Sequence, residues 1–479
     1  MKNVVLLFLF FGLLLVSGCD KGERMNNLLP DTRISLSQIN LTGLDRLRSE
    51  ITLHWYGTDR DGWVEGYELS LDGTVWNRVE VQDSTFSFSL SLGSDTTDID
   101  FFVRAIDNDG GIDPTPAYLR VPIRNSSPVA KFDSVQAPPD TAFLSLTLFL
   151  NVVDQDGADN LDSIYLKANN GPWYPLPPYT SVVTLIAEDP SSSLPTTAKV
   201  FLGTNAVLQN LRLDGYHPGS DNVFFLKAKD IAGSESAIDT SSLVYVTRKS
   251  SDLLVIDANI GGSVPSPEQV LYPTLNSVAG NFDVIDLRSN GGANQPRFWT
   301  PTFELTLKAY DKVFWYGDAS DDALTLLENA AGAIQSYLFA DGKILFNTSF
   351  PSSYDNTSSV QEFLPLDSIS TSLGSVRLPI DSLLSPVAGF ATLYDTLETS
   401  IFVGRATPFY AKPSSEVMYE ADLFTGGGWI GPNVVAARST NLAGNTNVVL
   451  LSVQLHQING RPAALEGFLQ AVLTNEFNW

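Results

Sequence analysis

The sequence predicts a multidomain chain: two tandem all-β sandwiches followed by an α/β three-layer domain with a mostly parallel sheet. Three observations lead there. Up to about residue 248 the pattern is short alternating strands separated by turns. That pattern repeats weakly after the linker Asn125-Ser126-Ser127-Pro128. From Ser251 the period changes, and compact apolar runs alternate with amphipathic helical stretches. The 479 residues suit about three domains, and 43% apolar against 17% charged residues excludes a largely disordered chain. A net charge of -25, with no basic run beyond the first residues, argues against nucleic acid as a partner, because phosphate backbones require clustered Lys and Arg.

At the start, Lys2 precedes an apolar run from Val4 to Val16, followed by Val16-Ser17-Gly18-Cys19. The run is short for a bilayer span. Small residues before a cysteine are what lipoprotein signal peptidase reads, and residues 1–19 resemble a bacterial lipoprotein signal. The resemblance implies that Cys19 becomes the lipidated N-terminus, with residues 20–31 as a polar tether. Two or three acyl chains, at about 0.8 kcal/mol per buried methylene, hold a protein on a membrane. The expected localisation is the bacterial cell envelope, lipid-anchored at the outer membrane. Cys19 is also the sole cysteine, so the lipidated protein would have no thiol for a disulfide, a thiolate metal site or cysteine catalysis.

Residues 32–124 contain ITLHWYGTD, WVEGYELSLDG, TFSFSLSL, IDFFVRAIDNDG and AYLRVPI, each a short alternating strand closed by a turn. LHWYGTDRDGWVEGYELSLDGTVW and FFVRAIDNDGGIDPTPAYLRV resemble fibronectin type III-like domains of bacterial surface proteins. The resemblance implies a seven-stranded sandwich with Trp55 and Tyr67 in its core. In residues 125–249, LSLTLFLNVVDQDGADNLDSIYL and NVFFLKAKDIAGSESA sit where the first region has its Asp-Gly turns. This predicts a second immunoglobulin-like sandwich, with an insertion at about 179–217.

In residues 250–479, Lys312 to Tyr316 and Lys343 to Asn347 read as buried parallel strands flanking a helix. Ser320 caps that helix, and Asp321 and Asp322 oppose its dipole. Ala323, Leu327, Ala330, Ile334 and Leu338 form one stripe, and Asp341-Gly342 supplies the left-handed stop. Gln269 to Val278 and Arg461 to Phe477 are the other helices. The Ser- and Pro-rich stretch near 351–447 reads as an insertion. The region resembles the class I glutamine amidotransferase-like (flavodoxin-like) fold, most closely at Val453-Gln454-Leu455-His456. The family's enzymes follow this with an orienting glutamate, where this chain has Gln457 and Ile458. Where they raise a cysteine, it has Asn347-Thr348-Ser349. The resemblance therefore implies a fold without the amidase activity.

A serine hydrolase would need Ser349 activated by His456, with Asp318 or Asp257 orienting the imidazole, all from strand ends. Asp59-x-Asp61-Gly62, Asp107-x-Asp109-Gly110 and Asp154-x-Asp156-Gly157 offer oxygen ligands for calcium, though Asp-Gly is also a turn former and none extends into a twelve-residue loop. His54, His217 and His456 fall in three separate predicted domains, so no zinc or iron site is expected. Gly261-Gly262, Gly291-Gly292 and Gly426-Gly427-Gly428 lack phosphate-loop spacing, and Trp429 could stack on a sugar. The leading expectation is a non-catalytic envelope lipoprotein that binds or scaffolds an envelope protein or a polysaccharide. The alternative is a surface hydrolase using Ser349 and His456.

Overall fold

A computed structural model describes residues 26–478 apart from 37–46, 49, 88–95, 156, 232, 263–264, 289–297 and 371–373. Cys19 and Asp156 lie outside the described residues. The chain divides into two compact units. One comprises the chain up to Pro128 with Val153–Asp162 and Lys229–Glu235, and the other comprises Val129–Val152, Ser163–Ala228 and Ser236–Trp479.

In the first unit, a three-stranded sheet (Asp31–Leu36, Glu50–Thr58, Asp83–Ser87) and a five-stranded sheet (Leu47–Arg48, Ala117–Arg124, Thr96–Asp107, Val64–Ser70, Asn77–Val79) share one core. The alternation read from the sequence decides which side chains enter it. Leu53 and Trp55 point inward while His54 and Tyr56 between and beyond them are exposed. Trp55 and Tyr67 are both buried, and each satisfies its polar atom. Trp55 Nε1 donates to the Val81 carbonyl at 2.8 Å, and the Tyr67 hydroxyl accepts from Gly57 N at 3.0 Å.

The second β region is also all-β. Its five-stranded sheet runs Val207–Tyr216, Thr196–Leu202, Val182–Ala187, Ser145–Val153, Val129–Phe132, and its four-stranded sheet Tyr174–Leu176, Leu161–Ala168, Phe224–Asp230, Asp239–Thr240. Residues 179–217, expected as an insertion, supply three strands of the larger sheet. This region packs directly on the C-terminal one. Ser145 Oγ donates to the Thr302 carbonyl at 2.6 Å, Phe149 meets Phe298 with ring centroids 4.6 Å apart, and Leu144 and Ile186 join the same buried cluster as Trp315 and Ile334.

The C-terminal region is built on nine strands: β1 Leu253–Ala258, β2 Asp283–Asp286, β3 Lys312–Gly317, β4 Lys343–Thr348, β5 Leu383–Pro386, β6 Leu397–Glu398, β7 Glu416–Ala421, β8 Val434–Thr440 and β9 Thr446–Leu451. Their order in the sheet is β2-β1-β3-β4-β9-β8-β7-β5-β6. The helices are α1 Pro267–Ala279, α2 Glu304–Leu307, α3 Asp321–Phe339 and α4 Pro462–Ala471. Val255, Phe314, Leu345 and Val449 pack on α1 and α4 through Leu271, Leu275, Leu465 and Phe468. Their sequence neighbours Ile256, Trp315, Phe346 and Leu450 point to the other face and pack on Leu327, Ala330 and Ile334 of α3. As the sequence predicts, Ser320 Oγ accepts from Ala323 N at 3.1 Å to cap α3, and Asp341, with φ of 63°, provides the left-handed stop.

The expected α/β three-layer domain with a mostly parallel sheet is corrected here. Among the described residues strand accounts for 43% and helix for 16%, so they are mostly β. Within the nine-stranded sheet, pairing is parallel only from β2 to β9, and every junction from β9 to β6 is antiparallel. The stretch read as an insertion, 351–447, supplies β5 to β8. Some β structure is expected in this stretch from the sequence, but its place in the main sheet is not legible, because β5 and β6 are four and two residues long and register shifts at Val417/Tyr419 and Tyr419/Glu420 break the period-two pattern of β7.

Candidate functional site

Because β1, β3, β4 and β9 run parallel, the segments that follow them emerge at one edge of the sheet, the edge where open sheets place their sites. All four candidate catalytic residues lie there, but only some are brought together. Asp257, near the end of β1, is fully buried. It accepts from Asn259 N at 3.0 Å and lies 3.0 Å from Arg288 Nη2. Burial raises its pKa to about 6, opposed by the Tyr316 hydroxyl, the Asn259 N–H and Arg288. Arg288 also pairs with Asp286 at 2.8 Å and with Glu268 of α1, and the Tyr272 and Tyr316 hydroxyls lie 3.3 Å apart. This cluster ties β1, β2, β3 and α1 together. His456 is 1% exposed, and burial lowers its pKa to about 4, with the Glu268 charge opposing. At neutral pH it is an uncharged imidazole.

Ser349 and Asp318 are occupied elsewhere. The buried Ser349 hydroxyl donates to the Ser452 carbonyl at 2.9 Å, beside Thr407 Oγ1, which donates to the same carbonyl at 3.1 Å. Asp318 Oδ1 accepts from Ser320 N at 2.8 Å and its Oδ2 from Gly261 N, so it orders the turns after β1 and β3. Asn347 acts similarly, donating to Val453 O at 2.7 Å and accepting from Leu455 N at 2.9 Å, which fixes the chain leading to His456. Sequence reasoning missed Tyr272, Tyr316, Arg288 and Glu268. The only local signal was Asp286-Leu287-Arg288, an acid and a base on the same side of a strand end. Beside this edge a cleft of about 500 Å³ is lined by Pro351 and Tyr354, which follow β4, by Arg377, Arg405 and Thr407, and by Trp429.

No protein-family model matches the sequence, and a search of the curated proteins gives no match. Among solved structures, the fibronectin(III)-like modules of Clostridium thermocellum CbhA are similar over 45% of this chain and 94% of theirs, at 12% identity and a TM-score of 0.17. A cytoplasmic protein from Salmonella typhimurium is similar over 46% of this chain and 97% of its own, at 11% identity and a TM-score of 0.31. The PKD1 domain of Vibrio anguillarum Epp is similar over 20% of this chain and 96% of its own, at 14% identity and a TM-score of 0.15. Similarity at these levels carries no statement about activity.

Two of the three aspartate turns proposed for calcium, Asp59-x-Asp61 and Asp107-x-Asp109, have identifiable work in the fold. Asp107 is fully buried. Its Oδ1 accepts from Gly111 N at 2.7 Å and Asp109 N at 2.9 Å, and its Oδ2 from Asn27 Nδ2 at 2.7 Å. Burial alone would raise its pKa, but Asn27 and the turn's N–H groups hold it below the usual carboxylate value. Asp61 Oδ2 accepts from Leu28 N at 3.0 Å, and Asp59 is pushed up by burial, with the Asp61 and Asp107 charges adding to the rise. The second β region repeats the arrangement: Asp230 Oδ1 accepts from Ser234 N at 2.7 Å and its Oδ2 from Asn125 Nδ2. Asn27 and Asn125 each stand three residues before a proline, Pro30 and Pro128, so the weak repeat has an atomic basis. Among the described residues no group of three or more His, Cys, Asp or Glu side chains is arranged to hold a metal ion. Asp107→Ala, which strands the Asn27 amide and two turn N–H groups, is expected to lower stability by about 1–3 kcal/mol, measured by denaturant titration.

Proposed function

We propose that this chain is a non-catalytic binding or scaffolding protein of the cell envelope, tethered through lipidated Cys19. The observation that supports the non-catalytic reading most directly is the state of the two side chains a hydrolase would use. The Ser349 proton is committed to the Ser452 carbonyl, and a histidine with a pKa of about 4 is a weak acceptor for a serine proton at neutral pH. Asp257 and Asp318, the candidate orienting carboxylates, are engaged with Arg288 and with backbone N–H groups. Two all-β regions preceding the C-terminal sheet suit a protein that presents a binding surface away from its anchor.

Two measurements test the parts of this reading separately. Ester, amide and glycan-linked substrates should be turned over no faster by the wild type than by Ser349→Ala or His456→Ala. A rate that collapses in both variants would establish the hydrolase instead. For the anchor, Cys19→Ala should move the protein from the membrane to the soluble fraction and abolish labelling by a radioactive fatty acid. Crosslinking in intact cells should capture an envelope protein or a polysaccharide, and a protein that captures neither would not be a scaffold.

A further inference from the structure

We infer that the cleft beside the strand ends binds the carboxylate of an acidic sugar, with Arg377 and Arg405 gripping the carboxylate and Trp429 covering the sugar ring. This rests on the reading of the chain as a binding protein and assigns that binding a place and a ligand class.

The charge pattern is the first support. Among the described arginines after Ser251, Arg288, Arg438 and Arg461 each hold a carboxylate, whereas Arg377 and Arg405 hold none. Both are exposed, and both line the same cleft of about 500 Å³. In a chain with a net charge of -25, carboxylates are abundant, yet among the described residues none pairs with Arg377 or Arg405. Two guanidinium groups that line one cleft carry like charge, and an anion bound between them offsets their repulsion. The planar guanidinium fork matches a carboxylate in bidentate geometry, which favours this anion class.

Backbone pairing holds the two arginines in place. Leu378 and Val403 exchange both backbone hydrogen bonds, at 3.0 and 2.9 Å, and Ala406 N donates to the Val376 carbonyl at 3.2 Å. Arg377 and Arg405 therefore project from adjacent, paired segments, so the backbone that carries them is ordered before a ligand arrives. A second pairing, Arg377 with Phe424 and Ser375 with Gly426, ties the same segment to the loop that carries Trp429.

Trp429 is the third support. It is half-buried, and its position depends on two glycines. A Cβ on Gly374 would lie 2.3 Å from the Trp429 backbone, and one on Gly431 would lie 2.3 Å from the indole ring. An aromatic ring fixed at the edge of a polar cleft supplies a flat apolar surface, and the C–H face of a pyranose ring can lie on it while its charged group reaches the arginines.

The test is calorimetric titration of the full chain with a tetrasaccharide of galacturonic acid, with its neutral galactose counterpart, and with a peptide bearing a free C-terminal carboxylate. The acidic sugar should bind, and the neutral one should bind at least about tenfold more weakly. Arg377→Ala, Arg405→Ala and Trp429→Ala should each weaken binding about tenfold or more, and Arg377→Lys should recover only part of the loss, since an ammonium lacks the fork. Thermal melting of each variant checks that it remains folded. No binding of the acidic sugar, or binding that all three alanine variants leave intact, would overturn the assignment. The peptide binding more tightly through the same arginines would overturn the sugar and make the cleft a peptide site. None of these results bears on the crosslinking experiment, so failure of the cleft and failure of the wider binding reading are separable.

Discussion

Arg438→Met is expected to destabilise the second compact unit by about 3–5 kcal/mol, because it leaves a buried carboxylate without its counter-charge. Glu476, in the terminal turn after α4, is 5% exposed. It accepts from Tyr394 at 2.8 Å, from Thr446 Oγ1 at 2.8 Å and from Arg438 Nη1. Arg438 reaches it from β8, stacked over Phe390 with 4.7 Å from its central carbon to the ring centroid, and on its other side meets Glu416 at 2.7 Å. Glu416 is largely exposed, and its pair with Arg438 contributes about 0–1 kcal/mol; the buried pair sets the size of the effect. Because the loss comes from an uncompensated charge, Arg438→Met combined with Glu476→Gln should be clearly more stable than Arg438→Met alone. Denaturant titration of the two variants measures this. Equal stability would show that the effect is lost packing and not charge.

The second large effect is an opposition between two buried groups that titrate in the same pH window. Asp257 has its folded pKa raised to about 6 by burial, above an unfolded value of about 3.9. Between those values the folded state binds the extra proton, so this group's contribution to stability is present at low pH and lost as pH rises through 6. His456 has its folded pKa lowered to about 4 by burial, below an unfolded value of about 6.5. In its window the unfolded state binds the extra proton, so its contribution is present above pH 6.5 and lost as pH falls toward 4. The two slopes, each about 1.4 kcal/mol per pH unit at most, nearly cancel in the wild type between pH 4 and 6. Relative to wild type, Asp257→Asn should grow more stable as pH rises across that range, and His456→Gln should grow less stable. Unfolding free energies at pH 4.5, 5.5 and 6.5 measure both slopes, and parallel profiles for all three proteins would contradict the assignment.

Several elements were legible because their cause is local. The α3 stripe, its Ser320 cap and its Asp341 stop follow from side-chain spacing and backbone propensity within one element. The inward placement of Trp55 and Tyr67 follows from alternation along single strands. The site was legible in position only. Asp257, Asp318, Ser349 and His456 do lie at one edge of the sheet. Yet what each bonds to depends on residues distant in the chain: Arg288 for Asp257, Gly261 for Asp318, Ser452 for Ser349. The cleft arginines were invisible for the same reason. Arg377 and Arg405 sit in the Ser- and Pro-rich stretch where short strands carry too few residues to display a period.

The sequence by itself determined which segments are strand or helix where the period is sustained, the acidic charge balance, and the presence of one cysteine, Cys19, shortly after the apolar run Val4 to Val16. Tertiary structure decided that β5 to β8 complete the nine-stranded sheet antiparallel, that Ser349 spends its proton on backbone, and that His456 is buried and uncharged. The division has a physical origin. Hydrophobic period and capping act over three to four residues and are written in the chain. Strand partners, burial and the pairing of charges are set by neighbours up to two hundred positions away, and these become fixed only when the sheet closes around them.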